Sequence, residues 1–432
     1  MVAAVLLCGA TLTACSDHED YQEQKKETPN DDDDNGDDNG GDNGDDNGDD
    51  NGGDNGDDNG GDNGDDNGDA KAYITDTVVY ALSPSLVNYN FVYPSTDPFG
   101  EPVMLSGTIT VNSRTLTDKK ADGIVLYNHY TVFKEDECPS KGYLDIPKLL
   151  NTTLTGNRLI VVSPDYYGFG ATGDKMQAYC IPTANAQASV DALIAVRQLL
   201  KDGEFQWDED ELLNIGYSQG GQTTIAVLRL IDEKYPDIHI TRTMAGGGPY
   251  DMAETYRQFL KSDDAGMPST IISVLLAYNE YYRLNIPRSS MFVEPTLSHI
   301  DDWVLSKQLN TLQIEYKVGN KGLRSFLAPD LFDLDSDVSK KVMEALESEN
   351  LCKGWKLRQG EDVLLVHHKG DAIVPVQNSQ NLYDFLQEQN TGTVEFKEVN
   401  LLSLGMSQTS HVSGAAAFLT YISSWIRQHY GY

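Results

Sequence analysis

The chain has 432 residues and a formal net charge of −35 at pH 7. Residues 31–69 contain 18 Asp and no Lys or Arg, which leaves −17 for the rest of the chain. The sequence shows no basic patch, and this argues against a nucleic-acid partner, because binding phosphates requires clustered Lys and Arg. At roughly 150 residues per domain, the length allows one large domain or two.

The N-terminal segment resembles that of a bacterial lipoprotein. Residues 1–13 are apolar and too short to span a membrane, and Leu12-Thr13-Ala14-Cys15 resembles a lipobox. The resemblance implies that residues 1–14 are a signal peptide and that Cys15 becomes the acylated N-terminus. An ordinary secretory signal with an incidental cysteine is the alternative.

Acidic residues follow Cys15 directly, in Ser16-Asp17-His18-Glu19-Asp20. This pattern resembles the surface-export signals of Bacteroidota lipoproteins. We therefore expect a lipid anchor in the bacterial outer membrane, with the protein exposed at the cell surface. A periplasm-facing orientation is the alternative.

Residues 15–69 are predicted to be a disordered acidic stalk. Residues 31–69 contain Asp, Asn and Gly and no apolar side chain, so burial cannot offset the entropy lost on ordering. Spaced Asp and Asn oxygens suit Ca²⁺, and calcium binding is therefore the alternative. Neither the EF-hand spacing nor the apolar position of the nonapeptide β-helix repeat is present.

Residues 70–432 have the composition of a globular domain in which strands alternate with helices. β-Branched and aromatic runs predict strands in hairpins over Thr77–Leu82, Val87–Tyr93 and Val103–Val111. Apolar runs predict buried parallel strands over Gly123–Tyr127, Arg158–Ser163, Ile238–Met244, Val363–His367 and Thr393–Val399. A helical stripe covers Ala184–Leu200. The alternation predicts an α/β fold with a mostly parallel central sheet and helices on both faces.

The alternation of strands and helices is interrupted over about residues 251–359. This stretch is too long for a bare connection between strands, so we expect a helical insertion that packs on itself and serves as a lid or cap. A helical layer that never moves is the alternative. The helices are predicted over Met252–Lys261, Ser269–Leu284, His299–Leu309 and Val338–Glu349.

The hexapeptide Gly216-Tyr217-Ser218-Gln219-Gly220-Gly221 lies between a short apolar strand and an apolar-periodic helix. A G-x-S-x-G pattern in this context is typical of a sharp turn that exposes a nucleophilic serine. Side chains at Gly216 and Gly220 would collide with the neighbouring strand or helix. Ser218 is therefore the candidate nucleophile, and a glycine-rich turn with an incidental serine is the alternative.

A serine nucleophile needs a base and a group that orients the base. His411 is the candidate base because it lies in a polar stretch, predicted as a loop, before the C-terminal helix. Asp371 is the candidate acid because it follows the predicted strand Val363–His367, and the preceding Gly370 permits a sharp turn. Asp251 is the second candidate. His367 itself ends that strand and is not selected.

Acyl transfer also requires donors for the developing oxyanion. The backbone N–H of Gln219, next to the nucleophile at the start of a helix, is the first candidate. Thr131, in the loop after the strand Gly123–Tyr127, is the second. Related loops often have His-Gly-x here, whereas this chain has Tyr130 at the glycine position.

From about Ala72 onward the chain resembles an α/β-hydrolase and, within that fold, the secretory lipase family. The resemblance rests on the segments 96–108, 163–170 and 216–221 and on the loops of Asp371 and His411. It implies ester hydrolysis through an acyl-enzyme, with Ser218, Asp371 and His411 as the catalytic triad and no metal or organic cofactor. Asp165 and Tyr166 would help to shape the rim of the acyl pocket, unless Asp165 only stabilises a turn.

The sequence therefore predicts a lipid-anchored, secreted serine hydrolase of carboxylic esters that acts on a small-molecule, lipid or polysaccharide ester. Two alternatives remain at this point: a serine peptidase with the same triad, and a surface binding protein on a catalytically dead scaffold. The cysteines of the body, Cys138, Cys180 and Cys352, allow one disulfide or none.

Overall fold

The apolar runs of the sequence form the strands of a mixed β-sheet in the computed structural model of the protein. The structure describes residues 70–80, 83–142, 158–263, 266–319, 321–400 and 407–431. The predicted signal peptide, Cys15 and the acidic stalk lie outside the described residues. Within them the sheet has nine strands: β1 (Tyr73–Tyr80), β2 (Ser83–Thr96), β3 (Pro102–Asn112), β4 (Gly123–Asn128), β5 (Leu159–Pro164), β6 (Leu212–Tyr217), β7 (Arg242–Gly246), β8 (Asp362–His368) and β9 (Thr393–Val399).

The strand order is β1-β2-β3-β5-β4-β6-β7-β8-β9. The first three strands form antiparallel hairpins, and β3 pairs antiparallel with β5. From β5 to β9 every pairing is parallel. Each residue of β4, β5, β6 and β7 is buried, as expected for parallel strands covered on both faces. The predicted fold class is confirmed.

Helices cover both faces of the sheet and form the insertion between β7 and β8. Several begin with local signals, such as Pro182 in the first turn of one helix and a capping box of Asn310 with Gln313 in another. The helices are α1 (Ser113–Asp118), α2 (Pro182–Asp202), α3 (Gln219–Lys234), α4 (Met252–Ser262), α5 (Pro268–Tyr281), α6 (Thr296–Ile300), α7 (Thr311–Val318), α8 (Asp337–Ser348), α9 (Gln377–Gln389) and α10 (Ser407–Tyr430).

The insertion is helical, but its middle part differs from the prediction. In place of one helix over His299–Leu309, α6 continues into a π-helical turn, Asp301–Leu305, and ends before Lys307, whose φ is 55°. Helix α7 was not predicted. In this helix Leu312 and Tyr316 are exposed and Ile314 is buried. Its apolar residues therefore do not form the single apolar stripe from which an amphipathic helix is predicted.

The predicted strand over Ile238–Met244 is also wrong in its bounds, since β7 begins only at Arg242. Ile238 and Ile240 are buried, but they belong to the turn that follows α3. The N–H of Ile238 donates to the carbonyl of Tyr235 rather than to a neighbouring strand. The alternating apolar residues therefore belong to a connecting segment that packs into the core. Alternation alone cannot distinguish such a segment from a strand.

A charged cluster fixes the entry to β8. The backbone N–H of Arg358 donates to Asp232 on α3 at 2.8 Å, and the guanidinium lies 3.0 Å from the same carboxylate. Glu361 lies 3.7 Å from the guanidinium and is almost fully buried. Burial, followed by the charge of Asp232, raises the pKa of Glu361 to about 7 from its ordinary 4.5.

The raised pKa of Glu361 predicts a specific pH dependence of stability. Between pH 4.5 and 7 the folded chain holds a proton on this carboxyl that the unfolded chain has released, so the free energy of unfolding falls as pH rises through this window. Glu361→Gln removes the titration. In thermal melts at a series of pH values, we expect the Tm of Glu361→Gln minus the Tm of the unaltered protein to increase from pH 4.5 to pH 8. The exposed Glu388→Gln provides the control, and equal pH slopes for Glu361→Gln and the unaltered protein would contradict the assignment.

Candidate active site

The turn between β6 and α3 holds Ser218 in a backbone conformation that few residues adopt. Its φ is 59° and its ψ is −124°, outside the regions that side chains favour, at a cost of about 1–3 kcal/mol. A Cβ atom at Gly216 would lie closer than 3.0 Å to the carbonyl oxygen of Gly220, and one at Gly220 equally close to that of Asn128. Both glycines are therefore required sterically, because α3 starts directly against β6 and the end of β4.

Three side chains from separate loops and helices form a hydrogen-bonded line at this turn. Nδ1 of His411 lies 2.5 Å from Oδ2 of Asp371, and Nε2 lies 3.0 Å from Oγ of Ser218. A carboxylate can only accept, so Nδ1 carries a proton, and in the neutral form of the ring Nε2 presents a lone pair. The hydroxyl of Ser218 then donates to Nε2. The ring is thus placed to accept the serine proton.

The carboxylate of Asp371 is held from several sides. Its Oδ1 accepts the backbone N–H groups of Ile373 and Val374, each at 2.9 Å. Burial alone would raise the pKa of Asp371, but the contacts with His411 and His367 lower it below its ordinary range. The carboxylate therefore stays ionised beside the imidazole. Lys369 and Gly370 form a turn before Asp371, in which the N–H of Asp371 donates to the carbonyl of His368 at 3.1 Å.

His367 is a second histidine at the same carboxylate, and the sequence analysis did not select it. It is fully buried, and its Nε2 lies 2.9 Å from the carbonyl of Val374 and 3.3 Å from Oδ2 of Asp371. The carbonyl and the carboxylate oxygen both accept, so Nε2 donates, while Nδ1 is hydrogen-bonded to the hydroxyl of Ser379 at 2.7 Å. The available signal was its position four residues before Asp371 at the end of a buried strand.

The predicted loop position of His411 is wrong, because this residue lies in the second turn of α10. The run Ser407-Gln408-Thr409-Ser410 has the composition of a loop, yet it forms the start of the helix. Tyr217, the residue before the serine, donates its hydroxyl to the carbonyl of His411 at 2.8 Å, and the two rings lie 5.1 Å apart. Tyr217 therefore connects the turn to the helix that carries the base.

Gln219 and Thr131 lie beside Ser218 and line the same cavity. Gln219 is the first residue of α3, so its backbone N–H has no acceptor one turn earlier in the helix. Thr131 follows β4, and its hydroxyl is hydrogen-bonded to Tyr179 at 2.9 Å. Both predicted donor residues therefore line the cavity at Ser218, one from the start of α3 and one from the loop after β4.

Tyr130 occupies the expected glycine position without filling the site. Its side chain packs against a small apolar cluster of Val132, Cys138 and Phe169. The preceding His129 is fully buried and stacks on Tyr166, with its ring nitrogens 2.7 Å and 3.2 Å from the carbonyls of Tyr130 and Asp165. Burial lowers the pKa of His129. This histidine therefore anchors the loop of Thr131 to the loop after β5.

The side chain of Asp165 connects β3 to the segment that follows β4. Its carboxylate accepts from the hydroxyl of Ser106 at 2.6 Å and from the backbone N–H of Ser140 at 2.8 Å. Asp251, the second candidate acid, caps α4 by accepting from the N–H of Glu254 at 3.0 Å. Asp251 does not belong to the hydrogen-bonded line of Ser218.

A mainly apolar cavity opens at Ser218 and runs beneath the insertion. Its polar end contains Ser218, Gln219 and Thr131, and Ile373 and Val374 contribute from the loop of Asp371. Most of the remaining wall comes from α4 and α5, through side chains that include Met252, Phe259, Ile271 and Val274. The hydrogen-bonded side chains of Ser218, His411 and Asp371 therefore lie where an apolar group bound in the cavity would meet them.

Among the described residues, no cluster of His, Cys, Asp and Glu could hold a metal ion, and no helix is both long and apolar enough to cross a membrane. Cys138, Cys180 and Cys352 are free thiols. Burial raises the pKa of each, to about 12 for Cys180.

A model of the secretory lipase family matches residues 146–430, well over half of the chain. No curated protein sequence matches the chain significantly. Among solved structures, the rice cell wall degrading esterase LipA from Xanthomonas oryzae superposes with a TM-score of 0.69 at 18% identity. The match covers 83% of this chain and 97% of that one.

Two further solved structures share the fold. A putative hydrolase from Legionella pneumophila has a TM-score of 0.67 at 20% identity, over 79% of this chain and 88% of that one. Lipase A from Candida antarctica, in its closed state, has a TM-score of 0.60 at 16% identity, over 83% of this chain and 81% of that one. At these identities the structural matches establish the α/β-hydrolase fold alone.

The crowding at the turn predicts the effect of a single methyl group. In Gly220→Ala the new Cβ would collide with the backbone of Asn128, and we expect the free energy of unfolding to fall by about 1–3 kcal/mol. Urea denaturation measures the loss. Gly370→Ala is the matched control, because its Cβ would meet only atoms 3.6 Å away or farther. Equal losses in the two variants would show that the turn is not sterically constrained.

Proposed function

The chain belongs to the secretory lipase family, and from this membership we propose that it is a serine hydrolase of carboxylic esters whose catalytic triad is Ser218, His411 and Asp371. The observation that carries the proposal is the hydrogen-bonded line from Ser218 through His411 to Asp371 at the polar end of an apolar cavity. A serine hydroxyl, a neutral imidazole and an ionised carboxylate in this order are the components of nucleophilic acyl transfer.

The proposed reaction has two halves. Oγ of Ser218 attacks the ester carbonyl carbon while its proton passes to Nε2 of His411. The tetrahedral intermediate collapses when His411 returns the proton to the departing alcohol oxygen, and an acyl-enzyme remains. Water then attacks the acyl carbon, with His411 again accepting and returning a proton, and the carboxylic acid leaves. Asp371 fixes the tautomer of the neutral imidazole and stabilises the imidazolium that forms in each half.

Backbone amides are proposed to stabilise the negative charge on the substrate oxygen in both halves. The N–H of Gln219 lies at the positive end of α3, where the helix dipole favours an anion. The N–H of Thr131 is the second proposed donor, and His129 holds its loop in place. Removing one such donor typically costs about 10²–10³ in kcat.

An ester, rather than a peptide, is the proposed substrate. Family membership and the apolar wall formed by α4 and α5 both support an acyl group without charge. A peptidase with the same triad would also turn over amides of the same acids, which an ester hydrolase would leave largely intact. A catalytically dead binding protein would react with neither, nor with a fluorophosphonate probe.

We also propose that the mature protein is secreted and anchored by lipid at Cys15. The family is described as secretory, and Leu12-Thr13-Ala14-Cys15 matches the lipobox pattern. Residues 15–69 would then separate the catalytic domain from the membrane surface, with the acidic residues after Cys15 favouring display on the cell surface. The catalytic domain would comprise residues 70–432.

Substitution of the nucleophile tests the reaction. In Ser218→Ala we expect kcat/KM for short nitrophenyl esters to fall by at least about 10⁴-fold, because the nucleophilic oxygen is lost. Labelling by a fluorophosphonate should disappear as well, while the circular dichroism spectrum and Tm stay close to those of the unaltered protein.

The matched control is Ser339→Ala, which removes the hydroxyl of a fully buried serine on α8 outside the cavity. It should retain both activity and labelling. Persistent ester turnover in Ser218→Ala would refute the proposed nucleophile. A large preference for amides in the unaltered protein would favour the peptidase.

Lipidation can be tested independently of catalysis. When the full chain is produced in a bacterial host fed with labelled palmitate, we expect label on the unaltered protein and none on Cys15→Ala, which should appear in the soluble fraction. Cys8→Ala is the control, since Cys8 lies inside the proposed signal peptide. Label retained in Cys15→Ala would contradict the anchor, and protease treatment of intact cells distinguishes surface from periplasmic display.

A further inference from the structure

The cavity at Ser218 is small compared with the space that a fatty acyl chain requires. Its volume is about 60 Å³, on a scale where a single water molecule needs roughly 10–15 Å³. The cavity therefore has room for about four to six groups the size of a methylene. A lipid acyl chain of twelve or more carbons would not fit within these walls.

We propose that this cavity is the acyl pocket and that it restricts the enzyme to esters of short carboxylic acids, with acyl chains of about two to six carbons. The proposal rests on the proposed function, since it places the acyl group of the Ser218 acyl-enzyme in the cavity. The apolar wall excludes charged acyl groups because burying an unpaired charge is costly.

The walls of the pocket are tied to the core of the domain, so they do not retreat easily. Glu349, at the end of α8, is buried and accepts from the hydroxyls of Thr183 on α2 and Tyr282 after α5, each at 2.5 Å. Tyr278 of α5 is fully buried and donates to the carbonyl of Cys180, which itself lines the cavity. These bonds fix α5 and α8 relative to α2.

A buried lysine ties the middle of the insertion in the same way. The ammonium of Lys307 donates to the carbonyls of Gly168, Gly173 and Lys175 in the loop after β5. Breaking these bonds without hydration would leave a buried charge unpaired, which typically costs several kcal/mol. Opening the pocket by swinging the insertion away from the core is therefore unfavourable.

Leu346 forms part of the pocket wall where α8 meets two other helices. Helix α8 packs against both α4 and α5, and its fully buried Leu346 lines the cavity together with residues of these helices. Replacing leucine with alanine removes three carbon atoms from this wall. The space released corresponds to about two or three methylene groups of a substrate.

The test compares kcat/KM for nitrophenyl esters of the acetyl, butyryl, hexanoyl, octanoyl and dodecanoyl groups, each below its aggregation concentration. For the unaltered protein we expect a decline of at least tenfold from butyryl to octanoyl and a further decline to dodecanoyl. In Leu346→Ala the ratio of octanoyl to butyryl should rise by about tenfold or more, since each newly buried methylene contributes about fourfold.

Leu331→Ala is the matched control, because Leu331 is a fully buried leucine of the same insertion that does not line the cavity. It should lose stability without changing the ratio. If Leu346→Ala does not fold, Val274→Phe tests the pocket in the opposite sense and should reduce hexanoyl turnover at least tenfold relative to acetyl.

Two results would overturn the proposal: turnover of dodecanoyl as efficient as that of butyryl, or the same change of ratio in Leu346→Ala and Leu331→Ala. Failure of the proposed function would look different. In that case no ester of any length would be hydrolysed in a manner that Ser218→Ala abolishes.

Discussion

The close approach of α3 to β6 at Ser218 is the constraint on which the site depends. A serine at φ 59° is strained, and it is retained because the parallel strands, the start of α3 and the end of β4 leave no room for a relaxed turn. The same packing orients the first N–H of α3 and the serine oxygen toward one space. The geometry of Ser218 thus depends on the sheet as much as on the turn.

Much of this arrangement could be predicted from local patterns. Continuous apolar runs such as 123–127 and 363–367 are typical of strands buried on both faces, and the structure has β4 and β8 there. The turn of Ser218 and the loop of Asp371 were recognisable because a parallel sheet brings the ends of its strands to one edge. That edge is where polar residues after strands meet, even when they are 40 or more positions apart.

Other features depend on contacts that a sequence does not display. His411 lies within a helix although its neighbours favour a loop, because α10 packs against β7 and β8. His367 was set aside as the end of a strand, yet its ring reaches Asp371, since a buried polar side chain must find a partner wherever the fold provides one. Ile238 and Ile240 alternate as in a strand but pack from a turn. In each case tertiary packing decided what local composition left open.

The free thiols of the described domain leave its fold without a disulfide bond. Cys138 and Cys180 are buried and Cys352 is partly buried, and burial raises the pKa of each thiol, which favours the protonated, poorly nucleophilic form. Neither oxidising enzymes nor disulfide reshuffling is needed to reach this fold. The described part of the chain is therefore held together by packing and hydrogen bonds, without a covalent cross-link among these three cysteines.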